Sequence, residues 1–97
     1  MVCTRKWVFL PHSGFVQQDV IELLEKLSTE TRAEKGCLDY SYYQAIDNPL
    51  TISSIEIWEN CEAEAAHWET PHINSALAKL PEFVAGNPEV IKYHKIV

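Results

Sequence analysis

Six residues in the middle of the sequence carry side chains that could bind a small aromatic molecule and remove a proton from it. They are two tyrosines, a glutamate, a tryptophan and two histidines: Tyr40, Tyr42, Glu56, Trp58, His67 and His72. Aromatic side chains form the walls of pockets for planar ligands, and an imidazole, with an ordinary pKa of about 6.5, can transfer a proton near neutral pH. If one strand face meets the following helices, these side chains line a cleft for a planar, phenolic or polycyclic ligand.

A second interpretation of the same six residues needs no ligand. Trp58 could be part of an ordinary apolar core, since buried aromatic residues more often pack than bind. His67 would then be a half-exposed helix residue and Glu56 a solvated strand residue. The residue types alone leave both interpretations open.

Other catalytic signatures are absent from the sequence. The three glycines lie far apart, which excludes a phosphate-binding loop or a dinucleotide fingerprint, and no serine is paired with a histidine as in hydrolases. His67 and His72 are separated by Pro71 and so lie on different helical segments, and no carboxylate or cysteine completes a recognisable ligand set. We therefore expect no metal site.

Length, charge and cysteine content limit the class of protein. The 97 residues suit a single domain, 1–97. A formal net charge of −6 argues against a nucleic-acid or anionic-membrane partner, since both require a basic surface. The three cysteines are odd in number and form no CxxC pair, which favours reduced thiols. No segment has the roughly 18 apolar residues of a membrane helix, so we expect a cytoplasmic protein.

Hydrophobic periodicity and turn residues divide the chain into strands and helices that must position the six side chains. The first helix is indicated by apolar residues on one face: Val16, Val20, Leu23, Leu24 and Leu27. We expect it to end with Gly36 as the residue just past its last turn. Asn60 and Thr70 are predicted to cap two further helices, 60–69 and 70–83, the second of which Pro81 ends or kinks. The predicted strands are 2–10, 37–45, 50–58 and 89–97.

The resulting βαββαβ order predicts an α+β protein with a four-stranded antiparallel sheet and helices on one face, the ferredoxin-like arrangement. Two helical units cover one face of the sheet, yet both faces of the first and the last predicted strand carry large apolar residues. An uncovered apolar face of this size is typical of an interface. We therefore expect a homodimer that pairs sheet to sheet, with Trp7 and Tyr93 on the outer face.

Several motifs in register resemble one known family. They are Glu56-Ile57-Trp58-Glu59, Ala66-His67 and Thr70-Pro71-His72-Ile73, together with the upstream stretch 31–40 and the turn Asp47-Asn48-Pro49. From residue 16 onwards the chain is similar to the antibiotic biosynthesis monooxygenases. These are small ferredoxin-like proteins that form dimeric α+β barrels and include quinol monooxygenases and autoinducer-2-degrading isomerases.

The resemblance implies a cofactor-independent monooxygenase that oxidises a quinol or anthrone-like phenol with O₂, without metal, flavin or haem. It implies that His67 is the base or hydrogen-bond donor and that Trp58 is a pocket wall. Tyr40, Tyr42 and His72 would be further substrate contacts, and Glu56 would orient a neighbour or be structural. The related haem-degrading enzymes use an asparagine on the first strand, and residues 1–10 contain none.

Two other functions stay open. One is an isomerase of a small phosphorylated ketone, of the autoinducer-2-degrading type, which would need cationic residues near the pocket. The first helix offers Lys26, Arg32 and Lys35 for that role. The other is a non-catalytic dimeric module that binds a ligand and has lost the chemistry.

Overall fold

Four antiparallel strands form one sheet, and three helices accompany it in a computed structural model that describes residues 2–11 and 18–97. The elements are β1 (Cys3–Pro11), α1 (Gln18–Arg32), β2 (Cys37–Gln44), β3 (Ile52–Trp58), α2 (Cys61–His67), α3 (Pro71–Lys79), a 3-10 turn (Leu80–Glu82) and β4 (Val84–His94). The predicted ferredoxin-like α+β fold is confirmed. Among the described residues, no helix combines the length and the apolar composition that crossing a bilayer requires.

The strand order β2-β3-β1-β4 places β3 and β1 in the centre of the sheet. Residues paired across antiparallel strands share a face, so the register of β1 with β3, in which Trp7 lies opposite Ser54, defines the inner face. That inner face carries buried residues of both central strands: Cys3, Arg5, Trp7 and Phe9 of β1, and Ile52, Ser54, Glu56 and Trp58 of β3. Buried and more exposed residues alternate along β3, as in a strand with one covered face.

The helices follow from local signals in the sequence. Val20, Leu24 and Leu27 recur at helical spacing and are buried, as predicted for α1; Val16 lies outside the described residues. The Asn60 side chain accepts a hydrogen bond from the backbone N–H of Ala63 at 2.8 Å and caps α2. Thr70 caps α3, with a proline in its first turn, so both predicted caps are confirmed.

Two predicted boundaries are wrong. Helix α1 ends at Arg32, so Gly36 is not the residue after its last turn but lies in the connection to β2, with a φ of +86°. Strand β4 begins at Val84 and ends at His94, whereas 89–97 is predicted. The glycine-asparagine-proline sequence at 86–88 lies inside the strand, where the pairing of β1 with β4 shifts register between Val8 and Leu10. Turn-forming residues mark a bulge here rather than a strand boundary.

Trp7 lies on the opposite face from the one predicted, because it is buried on the inner face. Tyr93, which pairs with Thr4, lies on the outer face as predicted. Leu38 would share a face with Tyr40 in a regular strand, yet it is 59% exposed because the register of β2 with β3 shifts between Cys37 and Asp39.

The outer face of the sheet carries several large apolar side chains that are open to solvent in the single chain. Five large side chains, contributed by all four strands and by the residue before β1, are more than a third exposed: Val2, Leu10, Tyr43, Ile55 and Tyr93. We call these five residues the outer apolar face. The dimer remains a prediction.

Candidate active site

The inner face of the sheet brings three of the predicted site residues together beneath helix α2. Tyr40 of β2, Trp58 of β3 and His67 at the end of α2 are all fully buried. The His67 ring centroid lies 5.1 Å from that of Trp58 and 5.5 Å from that of Tyr40. The strand alternation and the Asn60 cap together bring these aromatic side chains into contact with one imidazole.

A carboxylate that the sequence did not single out joins the two histidines. Oε2 of Glu34, in the turn after α1, lies 2.6 Å from Nδ1 of His67 and 2.6 Å from Nε2 of His72. The side chains of His67, Glu34 and His72 are 0%, 13% and 15% exposed, so the group reaches from the core to the surface. No sequence signal connects Glu34 with histidines 33 and 38 positions away.

The hydrogen bond to Glu34 fixes which nitrogen of His67 can act as a base. The carboxylate accepts a hydrogen bond from Nδ1–H, so the proton of the neutral ring is on Nδ1 and the lone pair is on Nε2. Among the described residues, Nε2 is buried and has no hydrogen-bond partner. Burial lowers the pKa of His67, and although Glu34 opposes this effect, the net shift is downward. The ring is therefore neutral near pH 7 and carries a free lone pair.

Tyr40 and Tyr42 form a hydroxyl pair beside this histidine. Their oxygens lie 2.9 Å apart, and burial raises the pKa of both phenols above the usual value. Both stay protonated, so each can donate a hydrogen bond. The backbone oxygen of Tyr40 also accepts a hydrogen bond from Nε of Arg32 at 2.9 Å, which ties β2 to the end of α1.

Two cavities border the site. One of about 290 Å³ lies between α1 and the β2–β3 hairpin, with Tyr42, Arg32, Leu24 and Ile52 among its lining residues. Another of about 160 Å³ lies between α1 and α3 and is lined in part by His72. Tyr42 and His72 therefore face a cavity, whereas Tyr40, Glu56, Trp58 and His67 are fully enclosed in this conformation.

Glu56 belongs to a buried polar network. Its carboxylate accepts hydrogen bonds from Ser54 Oγ at 2.7 Å and from Trp58 Nε1 at 3.3 Å, and it lies 3.3 Å from Nη2 of Arg5. Burial raises the pKa of Glu56, and Arg5 opposes part of that effect. Glu56 is not the solvated strand residue of the second interpretation. It holds the Trp58 indole in place.

Arg5 and Glu64, neither of which was predicted, complete this network together with Trp68, which follows His67 in the chain. Arg5 Nη1 donates to Glu64 Oε2 at 3.2 Å, and the guanidinium lies 4.0 Å over the Trp68 ring. A signal for Arg5 was available, because it shares the inward face of β1 with Cys3 and Trp7.

Glu34, His67 and His72 also form a group that could hold a metal ion. One donor atom from each lies within 4.8 Å of the other two. The sequence argument that no carboxylate accompanies the histidines is thereby corrected: the carboxylate comes from the α1–β2 turn, which only the tertiary fold brings near.

The family model for antibiotic biosynthesis monooxygenases matches residues 9–79, from β1 to the end of α3. The chain belongs to the antibiotic biosynthesis monooxygenase family. The resemblance noted from the motifs is confirmed, and the matched region contains Glu34 and all six predicted site residues of this family member.

Known proteins of similar sequence or fold agree with this assignment. The chain is 30% identical over 80 residues, 82% of its length, to the uncharacterized protein sll1783 of Synechocystis, and it spans 54% of the length of that protein. The structure of Rv0793 from Mycobacterium tuberculosis has a TM-score of 0.90 at 23% identity and covers 100% of this chain and 97% of its own. A conserved protein from Methanosarcina mazei Go1 has a TM-score of 0.92 at 25% identity, with coverage of 99% and 94%. These similarities show the fold of the family.

Proposed function

We propose that this antibiotic biosynthesis monooxygenase family member oxidises a quinol or anthrone-like phenol with O₂ and needs no cofactor. The observation that carries the proposal is the Glu34–His67 pair, in which a carboxylate orients the imidazole and leaves Nε2, beside Tyr40 and Trp58, without a partner among residues 2–11 and 18–97. A base held in this way is suited to removing a proton from a phenol or an activated carbon.

The proposed reaction needs proton removal from the substrate and an electron acceptor. His67 Nε2 takes a proton, and Glu34 stabilises the imidazolium that forms. The substrate anion then reduces O₂, and a carbon–oxygen bond forms to give a peroxide. When its oxygen–oxygen bond breaks, one oxygen atom stays on the substrate carbon and the other leaves as water with the two hydrogens that the substrate lost. The substrate supplies all four electrons that O₂ accepts.

We propose that substrate enters through the cavity of about 290 Å³ at Tyr42. Tyr40 separates that cavity from His67, since its ring lies beside the imidazole and its hydroxyl bonds to Tyr42. The two hydroxyls must therefore separate for a planar substrate to reach Nε2. In the occupied site Trp58 would be a wall, Tyr40, Tyr42 and His72 would be contacts, and Glu56 would position Trp58.

A non-catalytic binding module is the second candidate, because a cavity lies at Tyr42 while His67 is fully enclosed and has no direct opening to it in this conformation. The isomerase receives less support. It requires a cation for a phosphate group: Arg32 lines the cavity of about 290 Å³ and Lys26 lines the one of about 160 Å³, but neither cavity reaches the enclosed His67, and the buried Arg5 is already paired with Glu56 and Glu64.

Oxygen uptake by metal-stripped protein on a panel of hydroquinones and anthrones, with autoxidation subtracted, tests the proposal. We expect uptake with the wild type and a kcat about 100-fold lower in His67→Gln, with an unchanged rate in the control His94→Gln, whose exposed histidine lies at the end of β4. Uptake that His67→Gln leaves intact would refute His67 as the base. Binding by tryptophan fluorescence without turnover on any compound would favour the binding module.

Glu34→Gln tests the positioning role of the carboxylate. The neutral amide cannot stabilise the imidazolium, so we expect kcat to fall about tenfold or more while KM changes little. Loss of folding would instead reduce the fraction of active protein and leave kcat per folded molecule unchanged. A rise in KM at constant kcat would contradict the assignment.

We further propose that the protein works as a cytoplasmic homodimer that buries the outer apolar face. The exposed apolar side chains support the dimer, and three unpaired cysteines suit a reducing compartment.

A further inference from the structure

We infer that Glu34, His67 and His72 form a binding site for zinc, and that zinc bound there disables His67 as a base. The first half of this inference stands on the geometry of the three residues alone. The second half rests on the proposed function.

The three donor atoms have the chemistry and the spacing of a zinc site. Two imidazole nitrogens and one carboxylate oxygen are common ligands of Zn²⁺, with a solvent molecule as the fourth. Glu34 Oε2 lies 2.6 Å from both nitrogens. In a tetrahedral site with bonds of about 2.1 Å, donor atoms stand about 3.4 Å apart. Each oxygen–nitrogen distance must therefore increase by less than about 1 Å for the ion to fit.

The backbone fixes the three ligands on separate segments. His67 ends α2, His72 lies in the first turn of α3, and Glu34 lies in the turn after α1. The Thr70 hydroxyl donates to the backbone oxygen of His67 at 2.8 Å and accepts from the backbone N–H of Ile73, so it joins the ends of α2 and α3. The two imidazoles therefore keep their relative positions before any metal arrives.

The surroundings of His72 resemble the outer partners of a metal-binding histidine. Ligand histidines usually direct their second nitrogen towards a carboxylate. Nδ1 of His72 lies 3.7 Å from Oε2 of Glu30, while Nε2 faces Glu34. Glu30 is 41% exposed and adds negative charge where the group meets solvent. The site is thus reachable by a cation from the α1–α3 side.

Zinc and substrate deprotonation require opposite tautomers of His67. In the hydrogen-bonded arrangement, Nδ1 carries the proton and Nε2 holds the lone pair. Coordination of zinc through Nδ1 moves that proton to Nε2, with solvent as the carrier, and no net proton is released. The nitrogen proposed to act as the base then bears a hydrogen, so zinc should inhibit the oxygenase.

Zinc titration calorimetry and the visible absorption of Co²⁺ in the same site test the binding directly. We expect one ion per chain, a tetrahedral Co²⁺ spectrum without a thiolate charge-transfer band, and affinity at least tenfold weaker in His72→Ala than in the control His94→Ala. Circular dichroism verifies that each variant is folded, and Glu34→Gln serves as a second ligand variant. Equal affinity in all variants, or a thiolate band, would overturn the site.

Inhibition is then measured as the ratio of oxygen uptake with and without zinc in each variant. We expect zinc to inhibit the wild type, chelator to restore it, and the ratio to stay near one in His72→Ala. Zinc binding by a protein without oxygenase activity would leave the site standing and refute the proposed function. Oxygenase activity that bound zinc leaves unchanged would refute the inhibitory role.

Discussion

The guanidinium of Arg5 is fully buried and lies between two carboxylates. Glu56 and Glu64 each place a carboxylate within 3.3 Å of it, and Lys92 of β4 lies 3.0 Å from the other oxygen of Glu64. Burial alone would raise the pKa of Glu64, but Lys92, the Trp68 indole and Arg5 more than offset burial and lower it. A charged side chain is tolerated in a protein interior only when oppositely charged and hydrogen-bonding groups surround it. The network links β1, β3, α2 and β4.

Replacement of Glu64 by glutamine should destabilise the protein in a pH-dependent way. A carboxyl whose folded pKa lies below its ordinary value of 4.5 adds stability above that value and loses it as pH falls through the folded pKa. We expect Glu64→Gln to lower the free energy of unfolding by about 2 kcal/mol at pH 7, and the difference from wild type to shrink towards pH 3. Urea unfolding at a series of pH values measures it.

Glu62→Gln is the matched control, because Glu62 lies on the same helix and is exposed. A difference between wild type and Glu64→Gln that stayed constant from pH 7 to pH 3 would contradict the assigned shift.

The residues of the candidate site differ in how far the sequence could reveal them. Strand alternation put Glu56 and Trp58 on one face, and the structure places them so. Glu34 and Glu64 gave no such signal, because acidic residues are common on the surface of a protein and these two find their partners only through the tertiary fold. The catalytic and binding roles of the site residues remain predictions.

At the level of elements, the turn before β2 packs tightly against the start of α2. The backbone oxygen of Gly36 accepts a hydrogen bond from the N–H of Glu59 at 2.8 Å. A Cβ added at Gly36 would lie 2.6 Å from Cβ of Ala63. This turn also carries Glu34, so the close approach of the two segments sets the position of the carboxylate relative to His67.

Gly36→Ala and Gly86→Ala separate steric contact from backbone strain. Both glycines have positive φ, at +86° and +66°, but no atom of the residues that the structure describes lies within 4 Å of a Cβ at Gly86. We expect Gly86→Ala to cost about 1 kcal/mol through backbone strain. Gly36→Ala should cost about 2–4 kcal/mol, because overpacking adds to that strain. Equal losses in urea unfolding would show that the contact with Ala63 relaxes freely.

The elements themselves were more predictable than their ends. Local signals, such as the apolar face of α1 and the caps Asn60 and Thr70, determine where helices form and begin. The start of β4 and the exposure of Leu38 depend on register shifts against partner strands. Pairing across a sheet is not encoded in the residues of one strand. The turn-forming residues 86–88 therefore predict a strand that begins at 89, although they lie inside β4.

At the scale of the whole molecule, the sheet is covered by helices on one side and carries the outer apolar face on the other. Contiguous apolar surface exposed by a monomer is typical of an association site. The same face contains Lys6 of β1 and Glu89 of β4, placed by their pairing with Ile91 and Val8. Lys6 lies between Ile55 of β3 and Ile91 of β4, so a sheet-to-sheet dimer that buries the apolar members would also have to pair this charge.

Charges introduced on the outer apolar face should dissociate the proposed dimer. We expect Ile55→Glu and Tyr93→Glu to shift the mass in sedimentation equilibrium from dimer towards monomer, because burial of an unpaired carboxylate is unfavourable. Ala78→Glu, an exposed substitution on α3, adds the same charge elsewhere and should leave the mass unchanged. Trp7→Glu would unfold the core instead. A monomeric wild type would disprove the dimer.

The pairing of β1 with β4 has a consequence for the order of folding. Strands β2 and β3 are joined by a short loop, closed by a hydrogen bond from Ala45 N–H to the oxygen of Thr51, and can pair early as a hairpin. β1 meets β4 at Cys3 and His94, near opposite ends of the described chain. Closing so large a loop carries an entropic cost before any contact compensates for it, which slows folding. The central strand β1 is thus expected to complete its pairing last, and the Arg5 network with it.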